Sequence, residues 1–290
     1  MGMITTKLRI QDSLPLTCSR GGTCCHGNTV LLNPWELARL AQEKKSTPRE
    51  FRDLYCDFGG IRLRFDGAED FRKKPACSQY SENFGCSVHA GRPLSCRLFP
   101  LGRQIQNDEV NYIFQGNQFP CLNGCPEVLE LPHLTVGEYL EGQITDTFEI
   151  AQDHYLEFMQ NSADVSFIYL LDTGLAKYGD KKTLQIWREM GDESPEMLSE
   201  RIGAEWIDFL MIPEIMEVLE DPISFAAAHY HQLEQKVQEK FGHAQTNQEL
   251  HEASVTMMGI ALYLARGIGA DPKNLSEHWI DVAKKNGALE

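Results

Sequence analysis

The last 165 residues of this 290-residue chain contain no cysteine; all nine lie at or before Cys125. An odd count cannot be fully paired within one chain, so disulfides alone do not explain the cysteines, and clustered thiols point to metal ligation. Long hydrophobic runs are missing as well. No stretch approaches the roughly 18 consecutive apolar residues of a membrane helix, so no membrane partner is expected. The start, Met1-Gly2-Met3-Ile4-Thr5-Thr6-Lys7, leads into polar sequence with no apolar segment and cleavage site, and the cytoplasm is the expected compartment. A Gly-rich nucleotide loop, a serine elbow and a His-Glu-x-x-His pair are all absent, and so are internal repeats and Gly/Ser linkers.

Charge divides the chain as the cysteines do. Residues 1–105 hold 16 Lys and Arg against 10 Asp and Glu, whereas residues 106–290 hold 11 against 32, formal charges of +6 and −21. The basic residues are interleaved with acids and cysteines and form no dense run, so nucleic acid is not expected as a partner. The excess positive charge is expected to face bound thiolates and the acidic half, and the acidic half to meet another protein.

Local signals give the fold. Asn33-Pro34-Trp35-Glu36 and Thr47-Pro48-Arg49-Glu50 each place a capping side chain, a proline and a Glu where a helix begins, predicting helices to about Lys45 and to just before Gly59-Gly60. Cys56 falls in the second of these among Leu54, Tyr55 and Phe58 and is expected to be core. Residues 61–65 and 110–114 alternate and predict strands. From Thr135 onward the spacing is helical, with segments expected over 135–171, 181–190, 195–210, 222–241, 246–266 and 275–285. The expected fold class is α+β: a small cysteine-rich, metal-centred domain of short helices and strands at residues 1–130, then an all-α domain at 131–290, the two packed together.

Three cysteine groups carry the chemistry. Cys18, Cys24 and Cys25 sit in a loop with Gly21, Gly22 and Gly27, which lets thiolates converge while backbone N–H groups turn inward. Cys77, Cys86 and Cys96 lie near Arg92 and Arg97, and with Arg20 these cations are placed to lower thiolate pKa values and offset the charge of a thiolate site. Cys121 and Cys125 are separated by a three-residue gap and followed by Pro126, which suits an iron–sulfur loop better than the two-residue zinc knuckle. His89 is a candidate fourth ligand or a donor to a ligand. His229 and His231 are two apart on a helix and point in different directions, so they make no zinc pair. The candidate ligands are therefore Cys18, Cys24, Cys25, Cys77, Cys86, Cys96, Cys121 and Cys125, for an iron–sulfur cluster (4Fe–4S) or zinc.

The loop ending in Cys24-Cys25, the helix Leu31-Leu32-Asn33-Pro34-Trp35-Glu36-Leu37-Ala38-Arg39-Leu40-Ala41, and above all Cys86 followed by Arg92-Pro93, Cys96-Arg97 and Phe99-Pro100 resemble the CxxCxxCC family of YkgJ-type proteins over about residues 14–130. The resemblance implies a zinc- or iron-chelating domain. The family's first motif usually has a cysteine three after the first; here that position is Gly21, so a full site must draw ligands from more than one loop. Family members of this length often carry a Cys-Pro-Gly-like segment near Cys121 and Cys125, which implies that at least one of them joins the site. The flagellin lysine N-methylases look like the same cluster attached to a larger helical region. They imply an alternative to a metal-binding protein with a structural or redox role: an S-adenosylmethionine-dependent protein lysine N-methyltransferase with an iron–sulfur centre. No S-adenosylmethionine loop can be picked out.

Overall fold

The computed structural model describes residues 6–14, 17–18, 21–106, 109–114, 121–178 and 182–289. The chain is α+β, with small sheets in the N-terminal region and a helical C-terminal region. Strands β1 (Thr6–Leu8), β9 (Glu109–Phe114) and β8 (Leu101–Gln106) form an antiparallel sheet in the order β1-β9-β8. Three two-stranded sheets carry the cysteine region: β2 (Cys56–Asp57) with β3 (Arg62–Leu63), β4 (Phe65–Glu69) with β5 (Pro75–Cys77), and β6 (Tyr80–Ser81) with β7 (Gly85–Cys86). Helices α1 (Pro34–Lys44) and α2 (Pro48–Tyr55) start at the two expected capping boxes, both fully formed. Short α3 (Leu94–Leu98) and α4 (Cys121–Gly124) complete this part.

The helical part comprises α5 (Val136–Gln143), α6 (Asp146–Phe167), α7 (Lys182–Asp192), α8 (Pro195–Ile202), α9 (Ala204–Met211), α10 (Pro222–Phe241), α11 (Asn247–Gly267) and α12 (Pro272–Lys285). Helix α11 is its axis: every residue from Met257 to Gly267 is buried, as a helix apolar on all sides requires. The buried Arg266 is satisfied there by the carbonyls of Leu262, Met190 and Glu193. Among the described residues no helix is long and apolar enough to cross a membrane.

Four sequence expectations are corrected. The helix expected over 135–171 breaks at Ile144, which adopts a left-handed backbone (φ 54°) and ends α5. The helix expected over 195–210 breaks at Gly203 (φ 96°), a conformation that glycine reaches without a Cβ clash. The strand expected over 61–65 splits into β3 and β4, which pair with different partners. Cys56 lies beyond α2, in β2, although it is buried as expected.

The two parts share a core: the buried apolar side chains form one cluster that reaches from Leu8 to Ala288. Polar bonds reinforce it. Trp35 Nε1 donates to Leu219 O at 2.9 Å, and the Tyr263 hydroxyl donates to Phe58 O. Arg39 pairs with Glu220, Arg49 and Arg52 with Asp208, and Arg103 with Asp153, so part of the positive charge before residue 106 is met by acids of the helical part.

Candidate metal centre

Three chain segments converge to build the centre. The first is the loop of Cys18, Cys24 and Cys25. Gly22 turns it with a left-handed backbone (φ 77°), and an added Cβ there would stand 2.9 Å from the Tyr80 ring. The next three residues, Thr23–Cys25, form a single 3-10 turn. This turn is held from outside: Arg72, itself fixed by Asp70, donates to Thr23 O at 2.8 Å, and His26 bridges Ala76 of β5. The His26 ring packs edge-on against Tyr80, 4.7 Å between centroids.

The second segment delivers Cys77 at the end of β5 and Cys86 at the end of β7. Cys86 pairs with Tyr80 across the β6–β7 sheet, and Ser87 N donates to Gln79 O at 2.8 Å. In each case the backbone N–H two residues on, that of Gln79 for Cys77 and of Val88 for Cys86, hydrogen-bonds the thiol and favours its charged form. Such N–H donors are what metal-bound sulfurs receive in cluster loops.

The third segment is α3, which carries Cys96. Its first amide, Leu94 N, donates to Glu36 Oε1 at 2.7 Å. Glu36 is also the third residue of α1, and its other oxygen accepts from Asn33 N at 3.1 Å, so one buried carboxylate ties the start of α1 to the start of α3. Arg97 gives its donors to the carbonyls of Arg92, Gln143 and Ala90 and stacks 3.8 Å over Phe148. Its charge is therefore used to fasten the loop to α5. The Phe99–Pro100 peptide of the sequence motif is cis.

Six of the eight cysteines singled out in the sequence, Cys18, Cys24, Cys25, Cys77, Cys86 and Cys96, line one cavity of about 290 Å³. Leu40, Leu63, Phe65 and Phe99 form apolar wall, and Gln79, Tyr80, His89 and Arg92 supply polar lining. Cys125 does not line it. Cys125 is buried behind the first loop, with Sγ 2.7 Å from Thr23 Oγ1, and so braces the turn that bears Cys24 and Cys25. Cys121 begins α4, and its side chain lies outside the described residues, as does Arg20. Cys56 does not line the cavity either; burial pushes its thiol far up. His229 is buried against Tyr155 in the helical part, and His231 is exposed.

The thiols act on one another. Cys24 is pushed far up by its hydrogen bond to Cys25, by burial, and by the charges of Cys25, Cys18 and Cys96. Cys25 is lowered in return by that same bond, with Arg92 adding to the effect. Burial first, and neighbouring thiolates after it, push Cys77 up to about 11 and Cys96 well above its ordinary value. Cys86 is raised by burial and Cys25, against which Arg92 and Lys44 act. A set of soft sulfur donors that disfavour one another's charged forms is stabilised when a bound cation replaces their protons, so the residues present fit a thiolate-held metal group. Among the described residues no group of three or more His, Cys, Asp or Glu side chains is arranged around a single ion position. The thiols surround a volume.

Glu36, Arg72 and Gln143 support the centre but were not recognised in the sequence as doing so. Glu36 reads there only as part of a capping box, and nothing local marks its second bond, 58 residues away. No curated protein and no solved structure matches the chain. Residues 17–114, about a third of the chain and the part that holds all six thiols, match the family model of the CxxCxxCC domain, described as a "putative zinc- or iron-chelating domain".

Proposed function

We propose that this segment holds a four-iron iron–sulfur cluster, on four thiolates drawn from Cys18, Cys24, Cys25, Cys77, Cys86 and Cys96. The cluster joins loops distant in sequence and gives the protein a one-electron redox centre. The observation that carries this reading is the arrangement of six thiols, drawn from three chain segments, around a single cavity of about 290 Å³. A tetrahedral zinc site draws its sulfurs to within about 3.8 Å of one another, because each Zn–S bond is only about 2.3 Å long. A cubane cluster holds its ligand sulfurs farther apart and occupies the space between them. The N–H donors of Gln79 and Val88 and the Arg92 charge suit a cluster whose sulfurs accept hydrogen bonds. When bound, such a cluster supplies reversible one-electron transfer. The chain's own part is to present the thiolates, exclude water with Leu40, Leu63, Phe65 and Phe99, and offset negative charge.

Anaerobic reconstitution with iron and sulfide tests this directly. The expected product is brown, with iron and acid-labile sulfide in equal amounts and a signal in electron paramagnetic resonance after reduction. Colourless protein that retains stoichiometric zinc and takes up no iron would overturn it.

A further inference from the structure

Four cations are candidates for balancing the charge of the thiol site: Arg20, Arg92 and Arg97 by sequence, and Lys44 by position. Arg20 lies outside the described residues. All three nitrogens of the Arg97 guanidinium donate to backbone carbonyls. Lys44 donates to Ser87 Oγ at 3.1 Å and sits over the Tyr55 ring. Arg92 differs. Its side chain lines the thiol cavity, and its Nε is buried with no hydrogen-bond partner among the described residues. The opposite end of the same guanidinium is anchored, Nη2 donating to Gln143 Oε1 at 2.5 Å. Gln143 ends α5, and its carbonyl oxygen takes the bond from Arg97, so the anchor is itself fixed. Leaving a buried guanidinium N–H unpaired is costly, and six of the side chains that line the cavity with Arg92 are thiols.

Resting on the cluster reading, we propose that Arg92 sets the reduction potential of the centre: gripped by Gln143, it donates its buried Nε–H to a sulfur of the bound cluster and stabilises the reduced state. The charge of Arg92 acts on Cys25, Cys86 and Cys96, one thiol from each of the three segments. Reduction adds one negative charge to the cavity. A fixed cation at its wall favours the reduced form over the oxidised one, and the low dielectric of a buried site magnifies the preference.

The test compares wild type, Arg92→Gln and Arg92→Lys, each reconstituted anaerobically with iron and sulfide. Mediated dithionite titration gives the midpoint potential, and iron retained per chain after exposure to EDTA gives the stability of the centre. Equal far-UV circular dichroism across the three separates these readouts from loss of fold. Arg92→Gln is expected to weaken the reduced form about tenfold relative to the oxidised one, a negative shift on the order of 59 mV for a one-electron couple, and to lose iron faster. Arg92→Lys, which keeps the charge, is expected to recover most of the shift. A wild type that loads iron while Arg92→Gln matches it in potential and retention would overturn the role of Arg92 alone. Failure of the wild type to take up iron would instead sink the cluster reading beneath it.

Discussion

Glu36→Gln isolates one buried carboxylate. Glu36 is 4% exposed, and burial, partly opposed by the amides of Leu94 and Asn33 and by Arg97, pushes its carboxyl up to about 7 from 4.5. A folded value above the unfolded one means that the folded state holds the proton more tightly. The stability this gives is fully present below pH 4.5 and is lost as pH rises through 7. Integrated over that interval, folding weakens by about 2 kcal/mol between pH 5.5 and 8 on account of this group. Glutamine removes the titration and keeps an oxygen for Leu94 N, but it turns an amide N–H₂ towards Asn33 N or the reverse. One of the two accepted bonds is lost and a buried N–H left unsatisfied, a constant offset of about 1–3 kcal/mol. Urea unfolding of both proteins at pH 5.5 and 8 separates the two effects, and the difference between the curves cancels the pH dependence of every other group. The stability gap between wild type and variant should narrow by about 2 kcal/mol as pH rises over this range. A gap that stays constant would mean that Glu36 is solvated and does not bridge α1 to α3.

The remaining predictions concern other buried groups and the metal. His229, wholly buried with Nδ1 3.0 Å from the Tyr155 hydroxyl, is pushed down to about 3 from 6.5; its contribution is intact above 6.5 and falls away as pH drops towards 3, by about 2 kcal/mol at pH 5. Acid unfolding of His229→Phe should lack that component, and parallel curves for the two proteins would refute it. Cys56→Ser should keep its metal at a cost of about 1–2 kcal/mol from burying a hydroxyl, whereas Cys96→Ser should lose metal; equal metal content in the two would refute the division between core and ligand. Chelation under reducing conditions should raise hydrogen exchange in residues 18–27 and 77–97 while the helical circular dichroism persists, and cooperative loss of all helices would show that the metal holds the shared core.

How much of this was legible in the sequence follows the range of the interactions. The capping boxes at Asn33 and Thr47 are both formed, because cap and partner lie three residues apart and each signal is complete in itself. The helix that starts at Asp221-Pro222 runs over the expected 222–241 for the same reason. Helix interruptions were harder. Gly203 and Ile144 sit inside apolar periodicities that continue past them, so pattern alone merged α8 with α9 and α5 with α6. Among the cysteines, composition separated Cys56 from the rest, but only the fold distinguishes Cys125, which faces Thr23, from the six that share the cavity. Arg97 and Arg92 are five residues apart with the same side chain. One is consumed by three carbonyls and the other lines the thiol cavity with its buried Nε unpartnered among the described residues, and which is which depends on where α5 ends.

Helix α1 shows how the centre and the helical part are joined, and why the long gap between Cys25 and Cys77 is not idle chain. Side chains four apart share a face of a helix. On one face of α1, Trp35 donates to Leu219 O and Arg39 pairs with Glu220, so that face is fastened to the segment preceding α10. On the next, Glu36 holds the first amide of α3 and Leu40 lines the thiol cavity. The two faces are offset by a single residue, and both pairs are placed by the same capping box at Asn33. Loss of that cap would therefore disturb Cys96 and the seat of Trp35 together.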